Sequence, residues 1–227
     1  MKPMKGKIEK YEIQLLDPLF YNSFPDSGAA GSSITSNFIG DISLDYSIVN
    51  SLCLVNTFFG YSTNKPNYKE LRDFPILCTV AKPVDNTNEP FTRVYDFATS
   101  FVSEGYPQVS SLQMSGKTSY KQWIKRRGIG AGNKFTCFII NKSSDDLPIH
   151  FTSRIGNMKS TLCLFTKSPI NYQTDTAWIN IYTLGVLFHV NKLLDEPPSS
   201  IYFESFYYRI MKNISMPMLK EISEVLE

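Results

Sequence analysis

The chain has 227 residues, 42% of them apolar and 14% aromatic, enough to bury a sizeable core, which argues against wholesale disorder. Its net charge of +2 conceals a window from Gly105 to Ser144 with seven lysines and arginines and no acid, which leaves the rest of the chain at −5. No uninterrupted apolar run is long enough for a membrane span or a signal peptide, so the expectation is a soluble, cytoplasmic protein with one localised polyanion site.

The first element is a half-buried strand over Lys10 to Leu15, with Tyr11, Ile13 and Leu15 on one face and Lys10, Glu12 and Gln14 on the other. It ends at Asp17-Pro18, and a Ser-, Gly- and Asn-rich loop runs from Asn22 to Asn37. Leu44, Ile48, Leu52, Val55 and Phe59 then recur at helical steps, with Asp41 or Ser43 as N-cap and Gly60 as the C-terminal residue. Strands follow at Pro75 to Ala81 and at Thr92 to Val102. The basic window reads either as a helix over Tyr120 to Arg127 or as a projecting hairpin, and periodicity leaves both open. Further strands are expected at Phe135 to Ile140, Ile149 to Ser153 and Lys159 to Lys167. Trp178 to Val190 is helix or strand, Ile201 to Ile210 a strand and Met216 to Leu226 a short helix. This order predicts one elaborated α+β domain over residues 1–227, an antiparallel sheet with helices on one face and a basic insertion at about 105–144.

Tests for catalytic and metal motifs return little. Gly116-Lys117-Thr118 has the tail of a phosphate-binding P-loop, but Ser111 stands where its first glycine belongs. Gly128-Ile129-Gly130-Ala131-Gly132 has the wrong spacing for a dinucleotide fingerprint and leads into a strand. Cys53, Cys78, Cys137 and Cys163 form no Cys-x-x-Cys pair and read as reduced core thiols. His150 and His189 have no neighbour at ligand spacing, so neither a metal nor any other cofactor is expected. The acidic residues offer no spaced pair for hydrolysis, and the chain is read as a binder and not an enzyme.

Two segments suit single-stranded nucleic acid. In the basic window Tyr120 and Trp123 are interleaved with Lys117, Lys121, Lys125, Arg126, Arg127 and Lys134, pairing stacking surfaces with phosphate-binding cations. The turn from Thr152 to Ser160 places Arg154, a glycine and Lys159 between two predicted strands, where cations and backbone N–H groups can meet phosphates.

Several short motifs resemble a known family. They are the opening strand followed by Asp17-Pro18-Leu19-Phe20-Tyr21, Phe38-Ile39-Gly40-Asp41 before a helix with Asp45-Tyr46-Ser47, and Arg154-Ile155-Gly156 followed by Met158-Lys159-Ser160. Together they resemble the family-five CRISPR-associated (Cas) subunit of type I-D Cascade complexes, the Csc type. The likeness covers the first sixty residues and the stretch around 150 to 165; nothing between 61 and 150 aligns. It implies a ferredoxin-like, RRM-related RAMP domain with an inserted thumb-like hairpin. It also implies a ribonucleoprotein role in antiviral defence: holding the 5′ handle of the CRISPR guide RNA and joining the large subunit to the backbone subunits. Target DNA near the protospacer-adjacent motif is a further implied partner. The alternative on the same fold is a metal-independent endoribonuclease that processes CRISPR precursor RNA, with His150 as candidate base. A protein-interaction module without nucleic acid is the third reading.

Overall fold

In the computed structural model the alternation around Lys10 forms β1 (Lys7–Leu15), with Tyr11, Ile13 and Leu15 buried and Lys10, Glu12 and Gln14 partly exposed. The structure describes residues 6–20, 36–55, 68–84, 92–99, 122–156, 159–190, 198–205 and 207–226, with the backbone alone for 93–99 and 122–127. β1 pairs antiparallel along one edge with β6 (Lys134–Asn141) and along the other with β8 (Thr161–Ser168). β7 (His150–Ile155) lies outside β8, while β2 (Ile76–Cys78) and β3 (Lys82–Pro83) share the outer edge of β6.

The chain passes from β1 through helix α1 (Asp41–Ser51) to β2, and β6 lies between the two strands. That is the split βαβ unit of ferredoxin-like folds. Where the second such helix would connect β6 to β8, this chain has β7, hairpinned onto β8. Two strands, β4 (Thr92–Thr99) and β5 (Gln122–Ile129), are inserted between β3 and β6 and pair with each other as a separate two-stranded ribbon.

The core lies on both faces of the sheet. On one, Tyr11, Ile13, Phe135, Cys137, Ile139 and Phe165 pack with Leu44 and Ile48 of α1. Each fully buried aliphatic side chain of this kind contributes about 1.5–3 kcal/mol. On the other, Leu77, Phe138 and Ile140 join a second cluster with β9 (Thr176–Asn180), β11 (Tyr208–Ser215) and helix α2 (Met216–Val225). β11 is the middle strand of a separate three-stranded sheet, flanked by β9 and β10 (Ile201–Ser205). The two sheets meet at Val80, whose N–H donates to the Trp178 carbonyl at 2.9 Å.

Several sequence expectations need correction. The helix ends at Ser51, and Cys53 takes a left-handed φ of 50°, so Val55 follows the helix and does not extend it; Phe59 and Gly60 lie outside the described residues. Gly40, not Asp41 or Ser43, is the N-cap. The aromatic run from Ile201 to Ile210 is two antiparallel strands, β10 and the start of β11. Trp178 to Val190 is both things in turn, the end of β9 and then a π-helical segment over Tyr182–Leu187. Cys78, Cys137 and Cys163 are buried free thiols, but Cys53 is exposed.

Helix α1 also buries two carboxyl groups one turn apart. Asp41 accepts hydrogen bonds from Asn180 Nδ2 at 3.0 Å and Thr183 Oγ1 at 2.6 Å, and Asn180 in turn accepts from the backbone N–H of Arg209 at 3.0 Å. Asp45 accepts from the Cys78 N–H at 2.6 Å. Burial pushes Asp41 up to about 6; burial and then the Asp41 charge raise Asp45 well above the usual carboxylate range. Both groups hold their protons more tightly in the folded than in the unfolded state. The stability they contribute is therefore complete when they are protonated and is lost as pH rises from about 4 through the folded-state values. The denaturant midpoint should fall between about pH 5 and 7, and the fall should shrink in Asp45→Asn. A wild-type midpoint that rises over that interval contradicts the account.

Candidate nucleic-acid interface

Gln122 to Ile129 is strand, so the middle of the basic window is one arm of a hairpin and not a helix, while its later part, β6, belongs to the main sheet and not to the insertion expected at about 105–144. The register of β5 sets Trp123 opposite Ala98, Lys125 opposite Asp96, Arg126 opposite Tyr95 and Arg127 opposite Val94. An isolated two-stranded ribbon is marginally stable in water, so its attachment to the body matters. The attachment is a pair of backbone hydrogen bonds: the Leu19 N–H donates to the Ile129 carbonyl at 2.8 Å, and the Ile129 N–H to the Leu19 carbonyl at 3.0 Å. Gly128 makes this approach possible, because a Cβ there would sit 2.4 Å from Phe20 Cε1 and 2.8 Å from the Leu19 carbonyl oxygen.

The same segment packs on the turn after β7. Asp17 Oδ2 accepts from the Leu162 N–H at 3.2 Å, and Thr161 Oγ1 donates to the Pro18 carbonyl at 2.8 Å. Gly156 has φ +80°, and a Cβ there would meet Leu19 Cδ1 at 2.9 Å and the Phe20 carbonyl at 3.0 Å. The turn closes with the Lys159 N–H on the Gly156 carbonyl at 3.1 Å. Arg154 and Lys159 are both exposed, and neither makes an ion pair or a side-chain hydrogen bond with any described residue.

Between this turn and α1 runs a cleft of about 250 Å³ lined by Ser43, Tyr46, Asn50, Tyr68, Arg154 and Lys159, among others. An adjoining cleft of about 200 Å³, lined by Leu19, Ile39, Gly40 and Gly156, leads to the root of the ribbon, and Tyr208 lines both. Helix α1 is fastened beneath them by hydroxyls: Ser47 and Ser51 both bond Ser153, and Ser47 Oγ donates to the Arg154 carbonyl at 3.1 Å.

The structure treats the site residues expected from the sequence unequally. Arg154 and Lys159 meet at the cleft. Trp123, Lys125, Arg126 and Arg127 lie in β5, while Lys117, Tyr120 and Lys121 lie outside the described residues. Lys134 starts β6 and is paired with Glu12 at 2.8 Å. Lys142, the last cation of the basic window, lies 5.3 Å from the centre of the Phe188 ring. His150 and Arg154 share the exposed face of β7 but are four residues apart, roughly 13 Å along a strand. His150 Nδ1 lies 3.4 Å from Thr166 Oγ1, and His189 Nε2 lies 2.9 Å from a guanidinium nitrogen of Arg72. Among the described residues no group of three or more His, Cys, Asp or Glu side chains is placed to hold a metal ion. Sequence reasoning missed Ser43, Asn50, Tyr68 and Tyr208, which share no spacing. The short motifs were the available signal, since Leu19, Gly40, Ile155 and Gly156 come from three of them and line one cleft.

A family match spans nearly the whole chain: type I-D CRISPR-associated protein Cas5/Csc1 matches residues 6–224. The chain belongs to the Cas5/Csc1 family. Similar solved structures include a chain from a cryo-EM structure of the type III-B Cmr-beta complex bound to cognate target RNA. It has TM-score 0.43 and 8% identity, and the likeness covers 91% of this chain and 84% of that one. A chain from the same complex with cognate target RNA and AMPPnP, state 1, has TM-score 0.41, 9% identity and the same coverage. At these scores neither likeness bears on what this chain binds. No curated protein matches significantly.

The junction at Gly128 makes a direct prediction. Gly128→Ala should cost about 1–3 kcal/mol, as overpacking does, and should speed amide exchange at Leu19 and Ile129. Unchanged exchange at both amides would mean that the ribbon is held some other way.

Proposed function

We propose that this member of the Cas5/Csc1 family is a non-catalytic, guide-RNA-binding subunit of a type I-D Cascade effector. It holds the 5′ handle of the CRISPR RNA and joins the large subunit to the backbone subunits, with target DNA near the protospacer-adjacent motif as a further contact. The observation that carries the reading is the convergence at one place of the ribbon root, two exposed cations at the turn after β7 and a tyrosine-lined cleft. Exposed cations beside partly exposed aromatic rings are what a single strand needs, phosphate neutralisation together with base stacking. On this reading Lys125, Arg126, Arg127, Arg154 and Lys159 neutralise phosphates, and Trp123 stacks on an unpaired base. Lys117, Tyr120 and Lys121 extend the same contact. Lys134 joins it only by giving up Glu12.

Binding of a labelled repeat-derived RNA should weaken steeply with salt, by about 0.7 logarithmic units per phosphate engaged for each tenfold rise. Changing Lys125, Arg126 and Arg127 together to Ala should lower that slope by about 2. An unchanged slope would remove the ribbon from the interface. The endoribonuclease reading rests on His150, whose Nδ1 lies 3.4 Å from Thr166 Oγ1. The protein incubated with repeat RNA in EDTA should leave it intact; site-specific cleavage abolished by His150→Ala would overturn the binder reading.

A further inference from the structure

We infer that the cleft between α1 and the turn after β7 seats one unpaired nucleotide of the bound RNA and reads its base through Ser43 and Asn50. The inference rests on the RNA-binding reading and adds to it a base preference and the residues that set it.

Ser43, Ser47 and Asn50 fall on one side of α1, at successive turns, and all three line the cleft. Ser47 is already committed to Ser153 and the Arg154 carbonyl. The side chains of Ser43 and Asn50 make no hydrogen bond with any described residue, and Asn50 is exposed. An asparagine offers one acceptor and two donors on a planar group, which is the geometry that pairs with two adjacent positions on a base edge. Both side chains line the cleft, so their donors and acceptors are open to a ligand there.

The wall beside them is aromatic and held in place. The Tyr46 hydroxyl donates to Glu70 Oε1, and its ring meets Phe74 edge-on with centroids 5.3 Å apart. The Tyr68 ring lies 6.3 Å from that of Tyr46, centre to centre. Rings fixed before binding lose little entropy when a base stacks on them. Arg154 and Lys159 line the same cleft and can meet the phosphate of a seated nucleotide. The volume of about 250 Å³ lies just below the 300–1,000 Å³ typical of sites for drug-sized ligands, the scale of a single nucleotide. The adjoining cleft, opening toward Leu19 and the ribbon root, gives the strand a path in.

The test is fluorescence anisotropy of the full chain with four short homopolymeric oligoribonucleotides, oligo-A, oligo-C, oligo-G and oligo-U. One should bind at least about fivefold more tightly than the others, the lower end of what a good base contact discriminates. In Ser43→Ala with Asn50→Ala that preference should drop below about twofold, with affinity for the other three unchanged. Arg154→Ala with Lys159→Ala should weaken all four alike. Equal binding of all four by the wild type overturns the base-reading inference and leaves the RNA-binding reading standing. A preference that survives loss of Ser43 and Asn50 overturns it as well. Failure of every oligonucleotide to bind overturns both.

Discussion

Two glycines with no room for a Cβ, Gly128 and Gly156, bring three distant parts of the chain together. The segment after β1 lies against both, so its Leu19 can pair with Ile129 at the ribbon root and pack on the turn that carries Arg154 and Lys159. A Cβ at Gly128 would enter the Phe20 ring and the Leu19 carbonyl. At Gly156 the φ of +80° disfavours any other residue, and a Cβ would press on Leu19 Cδ1 and the Phe20 carbonyl. β1 can deliver that segment accurately because it is the middle strand, paired along both edges with β6 and β8. The rest of the interface inherits its geometry from this junction.

A second constraint sets the other wall of the cleft. Asp41 at the start of α1 reaches Asn180, the last residue of β9, and Thr183 beyond it, and Asn180 also holds the backbone of Tyr207 and Arg209. The helix, the π-helical segment and the start of β11 are thus one hydrogen-bonded unit, and Tyr208, which lines both clefts, stands inside it. Burying two carboxyl groups has an electrostatic cost, visible in their raised proton affinity. A satisfied buried network rigidifies what it connects, and here it connects the helix that carries Ser43 and Asn50 to the strand that carries Tyr208.

Much of this fold was legible in the sequence, and what was not has identifiable causes. The alternation of Tyr11, Ile13 and Leu15 marked β1 because one side of that strand is fully buried and the other only partly. α1 was placed but overextended: its buried face includes Asp41, Asp45 and Ser47, so the apolar stripe through Leu52 and Val55 did not mark its end. β10 and β11 merged into one expected strand because aromatic and β-branched residues continue across the turn between them. The basic window left helix and hairpin open because its pairing partner, β4, is more than twenty residues away and local periodicity cannot see it. Arg154 and Lys159, singled out for their charge beside a glycine turn, line the cleft. Tyr68 and Tyr208 were not singled out, since folding alone brings them beside α1.

The central claim is that RNA lies along the ribbon root and the α1 cleft of a Cas5/Csc1 subunit. The most direct measurement is affinity purification of the tagged protein from its native host, with ultraviolet crosslinking, sequencing of the retained RNA and mass spectrometry of the crosslinked peptides. The account predicts a uniform repeat-derived guide, crosslinked to the peptides that carry Trp123 and Tyr208. Recovery of protein partners without RNA, or of a guide crosslinked only to α2 and β10, would contradict it.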